Sequence, residues 1–375
     1  MLYFWLAALV LIFAYFIWIG LFYYGWERTP SWRMPAGANT FKPGISVVIP
    51  CRNEESNISL LLAGLLQQDY PSDLIEIIIV DDHSSDQTPA IVKKYADTHK
   101  KIIFVGLPRN QEGKKAALRL GIEKAGFSYI LTTDADCVLP RHWIRSMAGC
   151  MFHSGADLIA GPVILKGDNS FFSKFQQLEH LSLQGSTAGA IKTGNPVMCS
   201  SANLGFRKKA FIAADDHSKD KIVSGDDIFL LLAVHQSKGK IVFLKSRDAS
   251  VETNVMNNLR DFFRQRIRWA SKSRLYTTKA SVFTALLVFI VHFYALICLF
   301  GAFFLRDLLT VAALMFVSKS FIDFPFLYSV TRYFKKTKIM LYFPVVQFLY
   351  FFYITFTAIT SLTVKFSWKG RTARY

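Results

Sequence analysis

The sequence has 375 residues, 52% of them hydrophobic and 34 of them Phe, with a formal net charge of +17. That much apolar residue points away from a purely water-soluble chain and toward membrane segments, and a basic balance beside long apolar runs suits an anionic membrane surface or anionic substrates rather than nucleic acid. The five cysteines (Cys51, Cys137, Cys150, Cys199, Cys298) are scattered and lack CxxC spacing, which argues against a disulfide framework and a zinc site and fits a reducing compartment.

Residues 1–26 read as an N-terminal transmembrane anchor: Leu2 to Tyr24 carry no charge and are long enough to cross a bilayer as a helix. No small-residue cleavage pattern follows, so a permanent anchor is expected rather than a cleaved signal peptide. Arg28, Arg33 and Lys42 place what comes next in the cytosol by the positive-inside rule.

Residues 44–257 read as a cytosolic α/β domain. Strands are expected at 45–50, 74–80, 101–105 and 129–133, and helices at 56–68 (with Ser56 as cap), 88–98 (with Pro89 in its first turn) and 114–125. Strands separated by helices imply a mostly parallel, Rossmann-like sheet. No G-x-G-x-x-G follows the first strand, where Cys51-Arg52-Asn53-Glu54-Glu55 stands instead, so a nicotinamide or flavin enzyme is not expected. Farther on, 157–165 is expected as one strand, 171–183 as an amphipathic Gln-rich segment, 241–245 as a late strand, and Asp226-Asp227 as two acids at a helix start, where the dipole favours them.

Residues 258–278 interleave Phe262, Phe263, Ile267, Trp269 and Leu275 with Arg260, Arg264, Arg266, Arg268, Lys272 and Arg274. This reads as a basic amphipathic helix in a membrane interface, or as a surface helix with solvated charges. Residues 281–364 form a C-terminal membrane region of two or three spans, in apolar runs at 282–305, 308–330 and 340–362. In the middle run Lys319 and Asp323 stand at i,i+4 spacing and are expected to pair inside the bundle. The loop at 332–338 and the basic tail at 365–375 cannot both be cytosolic if all three runs span, so one run is expected to be re-entrant or interfacial.

The chemistry concentrates where the fourth strand ends. Asp134 and Asp136 stand one residue apart; in an extended segment they point the same way, and two carboxylates at a strand's carboxyl end suit a divalent cation that also needs phosphate oxygens. The other reading is a solvated turn after a strand. Asp81-Asp82 ends the second strand, Asp226-Asp227 follows later, and Gln265-Arg266-Ile267-Arg268-Trp269 comes last.

In that order the motifs resemble the family-two, membrane-bound, GT-A-type glycosyltransferases, over roughly residues 45–275 and the membrane layout. The resemblance implies a nucleotide site at Pro50, Arg52, Glu54, Asp82, Lys114 and Asp134, with Asp82 accepting from the base. His83 stands where the family usually has glycine. It further implies Asp134 and Asp136 as ligands of Mg²⁺ or Mn²⁺ on the diphosphate, and Asp227, beside Asp226, as the general base of an inverting transfer. Gln265, Arg268 and Trp269 would contact diphosphate and acceptor. Trp368-Lys369-Gly370-Arg371 is similar to an ending found in such membrane enzymes. The implied activity is transfer of a sugar from a nucleotide diphosphate sugar, UDP-linked by preference, to a membrane lipid or glycan, at a plasma or inner membrane with the catalytic domain cytosolic. The alternatives are a processive polysaccharide synthase and a non-catalytic nucleotide-binding scaffold. The oligomeric state stays open.

Overall fold

The computed structural model describes residues 1–34, 42–214, 226–363, 367–368 and 371–372; the side chains of Asp226 and of the tail, and the tail residues Lys369 and Gly370, lie outside the described residues. In chain order the elements are α1 (Leu2–Arg28), β1 (Ile45–Cys51), α2 (Ile58–Leu66), β2 (Ile75–Asp81), α3 (Thr88–Thr98), β3 (Ile102–Gly106), α4 (Lys114–Lys124) and β4 (Tyr129–Thr132). Then come α5 (Trp143–Ser154), β5 (Leu158–Ala160), β6 (Val163–Lys166), α6 (Phe171–Lys192), β7 (Leu204–Arg207), α7 (Lys208–Ala214), α8 (Asp226–Gln236), β8 (Ile241–Phe243) and β9 (Val251–Asn254). The chain continues through α9 (Leu259–Ser271), α10 (Lys279–Gly301), α11 (Asp307–Tyr333) and α12 (Phe343–Thr363) to the short antiparallel pair β10 (Ser367–Trp368) and β11 (Arg371–Thr372).

These elements divide into two compact units. One gathers 1–29, 167–197 and 255–366, and the other 30–166, 198–254 and 367–375.

The second of these is the α/β unit. Its seven-stranded sheet runs β3-β2-β1-β4-β7-β5-β8. β1 to β4 are parallel, as expected from their alternation with helices, and β7 runs antiparallel to both neighbours. Val47, Ile49, Ile77 and Ile79 face a buried cluster completed by Leu61 and Leu65 of α2 and by Trp143 and Met147 of α5. Helix α5 is not among the expected elements. Three local expectations are corrected. The segment 157–165 is two strands, because Gly161-Pro162 interrupts it: proline has no N–H for the ladder, and β6 pairs with β9 in a separate sheet. Helix α2 begins at Ile58 after Asn57, without a side-chain cap, rather than at Ser56. The acids Asp134 and Asp136 lie beyond β4 in a turn closed by Cys137 N–H on the Asp134 carbonyl (3.2 Å), so strand alternation is not what aligns them.

The other unit gathers α1, α6, α9 and the three C-terminal helices. Four of its helical stretches, Leu2–Arg28, Lys279–Gly301, Asp307–Tyr333 and Thr337–Thr363, are long and apolar enough to cross a membrane. Each exceeds the ~20 residues a span requires, so length singles out none of them as re-entrant. Lys319 does pair with Asp323, at 2.5 Å, and Asp323 also accepts from Tyr15 at 3.0 Å and Gln347 at 2.9 Å, which satisfies charges that lipid would not. Pro325 stands inside α11. Helix α6 runs nine residues past its expected end and belongs to this unit, although its sequence position falls inside the 44–257 stretch. Its Gly189 lies against the backbone of α1: a Cβ there would meet the Phe22 carbonyl oxygen at 2.0 Å. The polar residues Gln176, Gln177, Glu179, His180, Gln184 and Thr187 of α6 are all buried.

Candidate active site

In a parallel sheet the loops after the strands collect at the carboxyl edge. Here β1, β2 and β4 lie side by side, with Cys51 level with Asp81 and Val48 level with Thr132. Arg52, Asp82 and Asp134 therefore emerge at one edge. Pro50 is the penultimate residue of β1, opposite Val80.

Asp82 is 2% exposed. One of its carboxylate oxygens accepts from Gly113 N–H at 3.1 Å, and the other lies 4.0 Å from Arg52, whose guanidinium donates to the Asp82 carbonyl at 2.8 Å. Gly113 adopts φ +96 immediately before α4, a region that favours glycine, and this lets its N–H reach Asp82 while Lys114 opens the helix. His83 holds φ +55, so the left-handed backbone that glycine would take is kept here by a histidine, whose ring contacts the Gln111 carbonyl at 2.9 Å. The Asp81 carboxylate accepts from Ser84 N–H at 3.1 Å and closes the same loop.

Lys114 and the acids after β4 meet around a residue not singled out in the sequence. Lys114 Nζ donates to Asp134 Oδ1 at 2.5 Å and to Ser201 Oγ at 2.8 Å, and Ser201 Oγ lies 3.5 Å from Asp134 Oδ1. Ser201 N–H donates to Asp227 Oδ2 at 3.1 Å. One serine thus touches the lysine, the first acid of the D-x-D and the second acid of the Asp-Asp pair. It is held in place by its neighbours. Thr132 donates to the Ser201 carbonyl at 3.0 Å. The fully buried Asn203 accepts from Trp143 Nε1 at 2.9 Å and donates to the Pro162 and Ala249 carbonyls at 2.8 and 2.7 Å. Asp227 stands in the first turn of α8, and its Oδ1 accepts from Ile228 N–H at 2.9 Å, so the helix terminus supports a carboxylate there.

Asp136 is exposed to solvent and accepts from Thr253 at 3.4 Å. Enough protein surrounds it that desolvation pushes its carboxyl pKa up, and the charges of Asp134 and Glu54 push the same way while Lys114 opposes them. Crowded carboxylates of this kind are relieved by a divalent cation, and hard oxygen donors suit Mg²⁺ or Mn²⁺. Among the described residues no group of three His, Cys, Asp or Glu could hold a metal alone. Asp134 and Asp136 could hold an ion whose remaining ligands come from phosphate and water. Glu54 itself accepts from Asn57 at 2.9 Å.

Gln265, Arg268 and Trp269 lie on α9, in the helical unit, and are half-buried. The fully buried basic residue of that helix is Arg266, which pairs with Glu179 of α6 and lies over the Trp269 ring at 4.3 Å. Neither Arg266 nor Glu179 was read as a functional residue. The available signal was the run of polar residues along α6, which reads equally well as a solvated face.

Residues 46–215 match the family model "Glycosyl transferase family 2". The chain is 30% identical over 239 residues to a poly-beta-1,6-N-acetyl-D-glucosamine synthase of Staphylococcus epidermidis, covering 60% of this chain and 54% of that protein. It is 29% identical over 236 residues to the synthase of the same name from Staphylococcus aureus, again covering 60% of this chain and 54% of that protein. The chain thus spans about half the length of these curated relatives. Among solved structures, a mannosyltransferase from Pyrobaculum calidifontis in complex with GDP-Man and Mn²⁺ aligns with a TM-score of 0.57 at 18% identity, over 96% of this chain and 99% of that one, which supports the fold.

Proposed function

We propose that this chain, which carries a family-2 glycosyltransferase domain of GT-A type, moves a sugar from a nucleotide diphosphate sugar to a hydroxyl of a membrane lipid, with inversion at the anomeric carbon. The observation that supports this reading is the convergence of Lys114, Asp134 and Asp227 on Ser201, a lysine and two carboxylates within one hydrogen-bonded group.

In this mechanism Asp82, Arg52, Pro50 and Glu54 border the nucleotide base, and Lys114 carries positive charge to the diphosphate. Asp134 and Asp136 would hold Mg²⁺ or Mn²⁺, which would neutralise charge developing on the leaving diphosphate. Asp227 accepts the proton of the acceptor hydroxyl as its oxygen attacks the anomeric carbon and the bond to the diphosphate oxygen breaks. Asp226 flanks that base. Gln265 and Arg268 serve the diphosphate and acceptor, and Trp269 offers an indole face to the acceptor. The domain limits follow the same reading, with 167–197 folded among the helices: an anchor at 1–26, a cytosolic domain within 44–257, an interfacial helix at 258–278, membrane helices at 281–364 and a basic tail at 365–375, in a plasma or inner membrane.

A second reading is processive synthesis of a polysaccharide from a UDP-sugar, with a growing glycan as acceptor. The similarity to proteins named poly-beta-1,6-N-acetyl-D-glucosamine synthase favours it. One experiment separates the two. Detergent-purified protein is incubated with Mg²⁺ or Mn²⁺, radiolabelled UDP- and GDP-sugars, and a membrane lipid extract. Label in one discrete organic-soluble species supports single transfer to lipid, and label in a polydisperse water-soluble polymer supports the synthase. Neither transfer nor hydrolysis of any sugar nucleotide would overturn both.

A further inference from the structure

Within the helical unit, α6 grips α9 and the segment leading into it at two buried polar points that the proposed chemistry leaves unused. Gln176 is fully buried; its Oε1 accepts from Met256 N–H at 2.8 Å and its Nε2 donates to the Met256 carbonyl at 3.0 Å. Met256 stands two residues before Asn258, the N-cap of α9, whose side chain accepts from Asp261 N–H at 2.9 Å. Three residues along α6, Glu179 is 4% exposed and Arg266 3%. Arg266 donates to it from Nε at 2.9 Å and from one terminal nitrogen, a two-point carboxylate pair. Tyr353 of α12 donates to the same carboxylate at 2.9 Å.

The remaining terminal nitrogen of Arg266 donates to the Gln265 side chain, and the guanidinium plane lies 4.3 Å from the Trp269 ring centroid and 4.5 Å from that of Phe262. All three guanidinium nitrogens thus have fixed partners, which a lysine could not reproduce. Phe262, fully buried, packs on Phe172, Phe175 and Tyr353. Replacing a buried ion pair with apolar side chains is often neutral or stabilising, so stability alone does not account for one placed here. What it supplies is direction: it fixes α9 about its own axis at the turn that carries Gln265, Arg268 and Trp269.

We propose that Glu179, braced by Tyr353, is a positioning residue that sets Gln265 and Trp269 for the acceptor through Arg266, while Gln176 anchors the chain just before α9. The inference rests on the reading of Gln265 and Trp269 as acceptor contacts. It makes the membrane helix α12 part of the acceptor site's support, since Tyr353 holds the carboxylate that holds the arginine.

The test uses the full-length protein in detergent with the variants E179Q, E179D, R266K and E179M/R266M. Three quantities are read for each: transfer to acceptor, binding of UDP, and thermal midpoint. E179Q and R266K should lower transfer about a hundredfold, the scale of a small misplacement near reacting groups, with UDP affinity at the wild-type value. E179D, which keeps the charge, should recover part of the loss. E179M/R266M should keep the wild-type midpoint and still transfer poorly. Wild-type transfer by the folded double variant would overturn the proposal. So would parallel loss of UDP affinity, midpoint and transfer in the single variants, since that marks a purely structural pair. A wild-type protein that neither transfers nor hydrolyses any sugar nucleotide would overturn the functional reading beneath the inference, and is told apart because the defect is then not confined to variants.

Discussion

Asp227→Asn separates chemistry from binding at this site. The change is nearly isosteric but replaces one of two accepting oxygens with an amide donor. In the structure both oxygens accept, Oδ2 from Ser201 N–H at 3.1 Å and Oδ1 from Ile228 N–H at 2.9 Å. Only one acceptance survives, so one N–H must face a donor or turn to water. Loss of a partner of this kind costs about 1–3 kcal/mol. Removal of a general base costs about 10²–10⁴ in rate, or roughly 3–5 kcal/mol of barrier. Turnover should therefore fall by more than the fold weakens. Asp82, Asp134, Asp136 and Lys114 are untouched, so UDP affinity in the presence of Mn²⁺ should remain. The assay pairs transfer kinetics with calorimetric UDP titration and a melting curve on the same preparation. A variant that keeps more than about a tenth of wild-type turnover would refute Asp227 as the base, given the range such residues contribute. A variant that loses UDP affinity would instead show that Asp227 acts by holding the Ser201 turn.

Asp136→Ala should abolish metal-dependent turnover, as should EDTA, with turnover restored by added Mn²⁺ only in the wild type; activity that survives both treatments would sink the metal assignment. Gly189→Ala should lower the detergent melting point, because the new Cβ would meet the Phe22 carbonyl oxygen at 2.0 Å and backbone cannot give way easily; overpacking of this kind costs about 1–3 kcal/mol or more. Gly20→Ala, with nothing within 4 Å of its Cβ, should be neutral or slightly stabilising and serves as the control. Asp69 is held below the ordinary carboxylate range by a hydrogen bond from Arg145 at 2.8 Å, against a smaller opposing effect of desolvation, with His142 adding to the lowering. A lowered folded pKa gives stability that is present above the unfolded value of about 3.9 and lost as pH falls through the folded one. The gap between wild type and Asp69→Asn should therefore be full at neutral pH and close in acid. With both partners partly exposed it should stay below about 1 kcal/mol, and a gap that widens in acid would contradict the assignment.

Features that depend on neighbours in sequence were legible in this chain, and features that depend on distant partners were not. The runs Ile45–Pro50 and Ile75–Val80 announce strands, and the polar residues that follow mark where those strands end, because an apolar run and its interruption are local events. The bend after Thr132 escapes that logic: Asp134 and Asp136 stand in a turn beyond β4, not in the extended segment that strand alternation assumes. Ser201 carried no signal, since its partners Lys114 and Asp134 are 87 and 67 residues away and it stands in a stretch that reads only as small and polar.

The basic helix α9 poses the same difficulty in sharper form. Arg264, Arg266 and Arg268 alternate along one turn, and nothing local says which of them is buried. The answer lies in Glu179, 87 residues upstream of Arg266, on a helix whose polar stripe resembles a wet surface. A polar stripe beside apolar runs is compatible with solvent or with other helices. The choice is made by whether each buried donor meets an acceptor, and Gln176 with Met256 and Glu179 with Arg266 and Tyr353 supply that match. The physical reason for retaining a costly charge at that place is then geometric: a fork-shaped cation held from behind can present only one face to what lies in front of it.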